Sequence, residues 1–123
     1  MTKDGRRRTG QRGETIAATW LQRHGYRILE RNWRCPIGEL DIVAEEQGVI
    51  VFVEVRTRTT VRLGTPEESV DARKRDKLRH LALWYLAVRH WEPRTYRIDL
   101  CAVYLDQTSQ RAHVVHLPHA VEG

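Results

Sequence analysis

The sequence has few cysteines and no long apolar run, and both features narrow the class of protein. Its two cysteines, Cys35 and Cys101, match no metal-binding or redox spacing. A few unpatterned thiols are typical of a reducing compartment, so we expect a cytoplasmic protein. No apolar stretch approaches the ~18 residues that a membrane helix needs, and the polar N-terminus has no signal-peptide pattern. We therefore expect no membrane partner.

The segment between Cys35 and Val55 lacks lysine and arginine altogether, although the whole chain is basic. This segment contains five acids, whereas the 123 residues together carry 21 Lys plus Arg against 16 Asp plus Glu, a net charge of +5. A basic balance favours a polyanionic partner, and the partner that we expect is nucleic acid. The segregated acids indicate a site of a different kind within that basic protein.

These acids fall on a predicted β-hairpin. The run from Gly38 to Arg58 consists of two alternating segments, the second rich in valine, joined by Gln47-Gly48. That pattern predicts two strands and a two-residue turn. Because side chains alternate along a strand, Leu40, Ile42 and Ala44 are expected to share one face.

The register that this turn imposes brings acids together. It places Asp41 across from Glu54, and Glu39 across from Arg56. Directly opposed carboxylates destabilise a sheet by ~0.2–1 kcal/mol. Such a pair indicates either a cation between the two acids or a proton held by one of them.

Around the hairpin, the pattern predicts one domain over residues 10–117. A disordered basic arm is expected over residues 1–9 and a tail over residues 118–123. The predicted elements are a helix over 13–24, strands over 26–33, 96–105 and 112–117, and a helix over 71–90. That second helix either begins at Thr65-Pro66, with a capping box, or restarts at Asp71.

Glu14 has two readings. It falls on the apolar stripe of the first helix with Ala17, Ala18 and Leu21, which would point its carboxylate toward the core and require a partner there. Alternatively, as an acid in the first helical turn, it favours the helix dipole and reaches solvent.

Two basic segments flank the hairpin. One is a loop with Arg58 and Arg62, and the other is the start of the long helix with Arg73, Lys74 and Lys77. We interpret both as phosphate-binding surfaces because they adjoin the acidic hairpin in sequence. A solvated helix face is the alternative for the second segment.

Later polar residues point to structure rather than chemistry. His113, His116 and His119 recur every third residue, a spacing that places neighbours on opposite faces of a strand, so no metal site is expected there. Asp99 lies within an apolar strand and is interpreted as a structural acid that pairs with a nearby arginine.

The chain resembles a known family in several motifs. They are Gly13-Glu14, Gly38-Glu39-x-Asp41, Phe52 to Arg58 (FVEVRTR) and Gly64-Thr65-Pro66-Glu67, within about residues 10–103. These motifs resemble the YraN family of small bacterial proteins, which is related to Holliday junction resolvases. The resemblance implies a restriction-endonuclease-like α/β fold, with a central mixed sheet and the order α-β-β-β-α-β.

The resemblance also implies a site. It makes Glu14, Asp41 and Glu54 catalytic acids, with Asp41 and Glu54 as ligands of Mg²⁺ or Mn²⁺, hard ions that prefer oxygen. Arg56 stands where the family pattern has a lysine. Arginine cannot lose its proton to activate water, but it can hold a phosphate.

Three functions follow as hypotheses. The first is a metal-dependent endonuclease that acts on branched or structured DNA. The second is a catalytically impaired nucleic-acid-binding module of the same fold, and the third is an adaptor whose acids form a salt-bridged cluster. Neutralisation of Glu54 by Arg56, with no room for an ion, would argue against the first. The oligomeric state, a homodimer included, stays open.

Overall fold

The structure, a computed structural model, describes residues 3–59, 70–91, 94–106 and 108–121. Within these ranges the chain forms two helices and five strands. Their bounds are α1 Lys3–Arg23, β1 Arg27–Cys35, β2 Gly38–Glu46, β3 Val49–Arg58, α2 Ala72–Val88, β4 Tyr96–Leu105 and β5 Ala112–Val121. Neither described helix is long and apolar enough to span a membrane.

The five strands form one mixed sheet in the order β1-β2-β3-β4-β5. The β1–β2, β2–β3 and β4–β5 pairs are antiparallel, and the β3–β4 pair is parallel. Parallel neighbours need a crossover, and α2 lies within the connection between them. The predicted turn at Gln47-Gly48 is confirmed, since Glu46 pairs with Val49 directly across it.

The helices cover opposite faces of the sheet. Leu78 and Tyr85 of α2 are buried in a cluster that includes Phe52 of β3. Ala17 and Leu21 of α1 are buried in a separate cluster on the other face. The predicted α/β class, the mixed central sheet and the element order are confirmed, with β5 following as the edge strand.

Helix α1 begins at Lys3, so the prediction of a disordered arm is wrong for residues 3–9. Arginine is a good helix former, and extending an existing helix adds one hydrogen bond for each residue ordered. The Thr9 hydroxyl also donates to the Gly5 carbonyl oxygen at 2.9 Å, one turn earlier. The basic segment is therefore continuous with the helix that carries Glu14.

Strand β5 extends to Val121, so residues 118–121, which were predicted as a tail, belong to the sheet. Proline is tolerated at an edge strand because its missing N–H need not bond a neighbour. The β4–β5 register shifts between Ile98 and Leu100. There the backbone N–H of His119 donates to the Asp99 carboxylate at 3.1 Å.

The expected common face of Leu40, Ile42 and Ala44 is wrong for Leu40. Ile42 and Ala44 pack in the α1 cluster, whereas Leu40 packs in the α2 cluster. The neighbouring strand is irregular here, because Asn32 takes a left-handed conformation with φ 56°. Strict alternation therefore fails next to Asp41.

Helix α2 begins after Asp71, whose Oδ1 accepts a hydrogen bond from the Lys74 backbone N–H at 2.9 Å. Asp71 is thus the N-cap, as one of the two predicted starts required. The alternative start at Thr65-Pro66, with its capping box, lies outside the described residues.

Candidate active site at the acidic hairpin

Asp41 lies where β2 and β3 stop pairing. Their ladder ends at Ile42 opposite Val53. Beyond that point, Asp41 Oδ2 accepts a hydrogen bond from the backbone N–H of Val55 at 2.9 Å. A side-chain carboxylate therefore bonds a strand amide, and this bond fixes Asp41 against β3.

Asp41 and Glu54 interact directly, so the structure brings together the two acids that the register predicted. Burial raises the pKa of Asp41 to about 8, and the charge of Glu54 and a hydrogen bond with Glu54 add to the rise. The hydrogen bond from Val55 lowers this pKa but does not cancel the burial. The raised pKa of Asp41 favours the second of the two arrangements expected for opposed acids, a proton held by one of them.

Glu54 is buried, with 6% of its surface exposed, and it contacts two cations. Its Oε2 lies 3.1 Å from Arg56 Nη2 and 3.1 Å from Lys74 Nζ. Glu39, which was expected across from Arg56, instead pairs with Arg34 of β1 at 3.3 Å. Arg56 is consequently directed to the acidic pair.

One donor of Arg56 is unsatisfied. Among the described residues, Arg56 Nε is the one buried side-chain nitrogen or oxygen that has no hydrogen-bond partner. Leaving a buried donor unpaired costs about 1–3 kcal/mol. Arg56 therefore has an unused hydrogen-bond donor beside the acids.

Glu14 approaches the pair from α1. Burial raises its pKa, Arg31 opposes the rise, and the charges of Glu39 and Glu54 contribute to it. The hydrogen-bonding pattern assigns the amide nitrogen of Asn32 as donor to Glu14 Oε1 and to Glu39 Oε1, each at 2.8 Å. Of the two readings of Glu14, the inward one is the one observed.

The close approach of α1 to β3 depends on Gly13. A Cβ atom at this position would lie 1.9 Å from Oγ1 of Thr57. Real Cβ atoms do not come so close to another atom, so only glycine allows this packing without a shift. Gly13 therefore sets the position of Glu14 relative to the acidic pair.

A cavity of about 450 Å³ opens beside these residues. It is lined on one side by α1 and on the other by the ends of β2 and β3. Its lining residues are Thr9, Gly10, Glu14, Asp41, Val55, Arg56, Thr57, Arg58 and Thr59.

The carboxylate oxygens at this site are of the type that a hard divalent ion prefers, but the site offers such an ion few protein ligands. Among the described residues, no group of three or more histidine, cysteine or acid side chains is arranged to hold a metal. Asp41 and Glu54 supply two carboxylates, and Mg²⁺ in phosphate-processing sites commonly binds one or two carboxylates plus the substrate phosphate. Arg56 and Lys74 both contact Glu54 Oε2, so these contacts would have to weaken before this oxygen could bind a metal.

The predicted cations do not form one ridge. Lys74 turns to Glu54, while Lys77 lies against Gly38, where an added Cβ would come 2.8 Å from Lys77 Cε. Arg73 is exposed on α2, and Arg58 is exposed beside the cavity with its Nη1 donating to the Thr57 carbonyl oxygen at 3.0 Å. Arg62 lies outside the described residues.

The sequence reasoning missed the contact of Lys74 with Glu54. The two residues lie on different elements, a helix and a strand, and no spacing rule relates a helix N-terminus to a strand across a crossover. Asn32, which bridges two acids, was also missed. Asparagine adopts the left-handed conformation more readily than most residues, so its presence in a strand was a weak signal for it.

A second polar cluster lies on β4 and β5. Asp99 is fully buried, and its Oδ1 lies 3.0 Å from Arg97 Nε, as the interpretation of a structural acid required. His116 Nε2 lies 2.7 Å from Asp99 Oδ2. Burial alone would raise the pKa of Asp99, but the hydrogen bonds from His116, Arg97 and the His119 backbone outweigh it and hold this pKa below its usual value.

Fold and site together define an α/β protein with a carboxyl pair where two central strands stop pairing, contacted by two cations and open to a cavity. Residues 13–103 match the model of a family described as uncharacterised protein family UPF0102. The chain belongs to this family, which is the YraN family of the resemblance.

Relatives in the same family cover nearly the whole chain. A UPF0102 protein of Moorella thermoacetica is 56% identical over 109 residues, covering 89% of this chain and 91% of the relative. A UPF0102 protein of Roseiflexus castenholzii is 46% identical over 118 residues, covering 95% of each chain. The printed name of each relative assigns it no activity.

Among solved structures, one similar chain is Pyrococcus furiosus SfsA in complex with Ca²⁺. It is 15% identical, with a TM-score of 0.42. The match covers 95% of this chain but spans only 65% of the SfsA chain. A likeness this distant carries no argument about function.

Proposed function

We propose that this protein is a divalent-metal-dependent endonuclease that hydrolyses phosphodiester bonds in structured DNA. One observation carries the proposal: Asp41, whose pKa is raised to about 8 by burial and by Glu54, lines a cavity together with Glu14 and Arg56. Acids whose pKa is strongly raised by burial and by a neighbouring acid are typical of functional sites.

The residues divide into two roles. Asp41 and Glu54 are the proposed ligands of Mg²⁺ or Mn²⁺, and a bound ion lowers the pKa of water and polarises the phosphate. Glu14 orients the attacking water from α1. Arg56 and Lys74 hold the scissile phosphate and stabilise the charge that develops on it.

The substrate is proposed to be recognised by shape. Arg58, exposed beside the cavity, suits phosphate oxygens, and phosphate contacts carry no sequence information. A branched or otherwise structured DNA is therefore a better candidate than a defined base sequence.

A second candidate is favoured by a different contact. Glu54 is neutralised by Arg56 and Lys74, which is close to the arrangement expected of a module that binds nucleic acid without cleaving it. The cavity of about 450 Å³ beside Asp41 favours the endonuclease, because space for a phosphate remains next to the acids.

The test combines cleavage with metal-linked stability. Branched and linear DNA are incubated with Mn²⁺ and the wild-type protein, Asp41→Asn or Arg56→Lys, with Asp76→Asn, an exposed acid of α2, as the matched control. We expect wild type and the control to cleave branched DNA, and Asp41→Asn to be inactive. A ligand that binds only the native state raises its stability, so Mn²⁺ should raise the melting temperature of both active proteins.

Two negative results together would replace the endonuclease by the binding module. They are the absence of cleavage by both wild type and Arg56→Lys, and a melting temperature that Mn²⁺ does not change. DNA binding that resists chelator and Asp41→Asn would then support the module directly.

A further inference from the structure

A groove leads away from the acidic cavity along the described surface between α1 and the β4–β5 connection. Thr59 lines the acidic cavity and also two neighbouring cavities of about 180 and 470 Å³. Thr9 lines both the acidic cavity and the cavity of about 180 Å³, and Leu105 lines both that cavity and the one of about 470 Å³. Because they share walls, the three cavities form one continuous surface, called here the Thr59 groove.

Arginines line the groove along its length. Arg58 lines the end at the acidic cavity, Arg8 and Arg12 line the middle, and Arg111 lines the far end. All four arginines are exposed. Arg12 Nη2 also donates to the Gln110 carbonyl oxygen at 3.5 Å, which ties α1 to the connection before β5.

Outside the acidic cavity, which Glu14 and Asp41 line, one acid lines the described part of the groove, and its carboxylate is already bonded. Asp106 Oδ1 accepts from the Thr108 hydroxyl at 2.7 Å and from the backbone N–H groups of Thr108 and Ser109 at 2.9 and 3.3 Å. The Asp106 carboxylate therefore stabilises the turn that contains Thr108 and Ser109. The four arginines leave the groove positive, which suits a chain of phosphates.

Two aromatic rings stand at the far end of the groove. Tyr104 and His113 are opposite each other on β4 and β5, with ring centroids 6.3 Å apart and planes tilted by 34°. His113 is exposed and Tyr104 is partly exposed. Aromatic rings beside a cationic groove are what sequence-tolerant single-strand binders use, because unpaired bases stack on the rings while the cations follow the backbone.

We propose that the Thr59 groove binds an unpaired nucleic-acid strand and leads it to the acidic cavity. Bases in an intact duplex are already stacked on one another and offer no face to Tyr104 or His113. The substrate class that fits is thus a junction between single-stranded and double-stranded nucleic acid, such as a flap or a fork. As a statement about the substrate this rests on the proposed endonuclease, whereas the strand binding itself needs no metal.

The test measures binding without cleavage. Fluorescence anisotropy in EDTA compares a short labelled oligothymidine with a blunt duplex of the same length. We expect the single strand to bind about tenfold or more tightly than the duplex, because each stacked base contributes a factor of this order. Tyr104→Ala should lose about five- to tenfold in single-strand affinity and leave duplex affinity unchanged, while Tyr104→Phe, which keeps the ring, should bind as wild type does.

Charge variants separate stacking from simple attraction. Arg12→Ala should weaken binding and reduce its salt dependence, because a phosphate contact is lost. Arg23→Ala is the matched control, an exposed arginine at the other end of the same helix, and should change neither. Thermal unfolding of each variant checks that the fold is intact.

Three results would overturn the inference: equal affinity for single strand and duplex, a Tyr104→Ala variant that binds as wild type does, or competition by polyglutamate as effective as by oligothymidine. The last would indicate an acidic peptide as partner. If only the proposed endonuclease activity is wrong, the preference for single strand over duplex in EDTA should remain, so the two failures can be distinguished. A protein that cleaves branched DNA without this preference would refute the groove alone.

Discussion

Replacing Asp41 with asparagine should remove a pH dependence of folding stability that the wild-type protein shows between about pH 5 and about pH 8. The pKa of Asp41 is raised from 3.8 to about 8 in the folded protein. Across this window the native state therefore binds more protons than the unfolded chain. Consequently the free energy of unfolding falls as pH rises. The stabilisation from protonated Asp41 is fully present below the pKa of Asp41 in the unfolded chain and is lost as pH rises through its pKa in the folded protein.

The magnitude follows from the size of the shift. Each unit of pKa difference corresponds to ~1.4 kcal/mol, so the largest loss across three pH units is ~4 kcal/mol. Solvent at the cavity screens part of the repulsion between Asp41 and Glu54, so we expect a loss of about 2–4 kcal/mol. Asparagine has the shape of the protonated acid and keeps an oxygen for the Val55 amide, so Asp41→Asn should be nearly flat with pH.

The assay is urea unfolding at a series of pH values in EDTA, which yields a free energy of unfolding at each pH. The matched control is Asp106→Asn. Hydrogen bonds from Thr108 and Ser109 lower the pKa of Asp106 to about 2, so this acid titrates below the window and its removal should leave the slope unchanged. A wild-type protein whose stability is constant from about pH 5 to about pH 8, or an Asp41→Asn variant with the wild-type slope, would refute the raised pKa of Asp41.

Three further predictions concern packing, charge and metal binding. Gly13→Ala should destabilise the fold by about 1–3 kcal/mol through its clash with β3, whereas Gly10→Ala, which meets no atom within 4 Å, should be neutral or stabilising in thermal unfolding. Asp99→Asn should cost about 3–5 kcal/mol by breaking a buried pair, with a denaturation midpoint near wild type refuting that role. Lys74→Met should enlarge the Mn²⁺-dependent rise in melting temperature by freeing a carboxylate oxygen, and a smaller rise than in Lys77→Met would contradict it.

Local patterns predicted the acidic hairpin well. The turn at Gln47-Gly48 is set by two residues, and the strands beside it follow from alternation, so the register that joins Asp41 to Glu54 could be worked out in advance. The same alternation failed at Leu40, because the left-handed Asn32 on the neighbouring strand interrupts the regular pleat. Periodicity holds only while the ladder is regular.

The partners of the acids could not be read from local patterns. Lys74 was predicted to face solvent on a phosphate-binding ridge, but it pairs with Glu54 because the crossover lays α2 against β3. Glu39 was expected opposite Arg56 and pairs with Arg34, the residue that faces it from β1. Ion pairs between elements depend on which side chains packing brings within reach, and several cations in this basic chain compete for each acid.

The sequence by itself determined the element order, the two-residue turn and the segregation of acids onto one hairpin, because turn chemistry, side-chain alternation and charge act between neighbours along the chain. Only the tertiary structure decided that Glu14 points inward past Gly13, that Lys74 and Arg56 share one oxygen of Glu54, and that the pKa of Asp41 is raised. Those outcomes depend on burial, since the loss of water around a charge and the contacts that compensate for it exist only once helix and sheet have packed together.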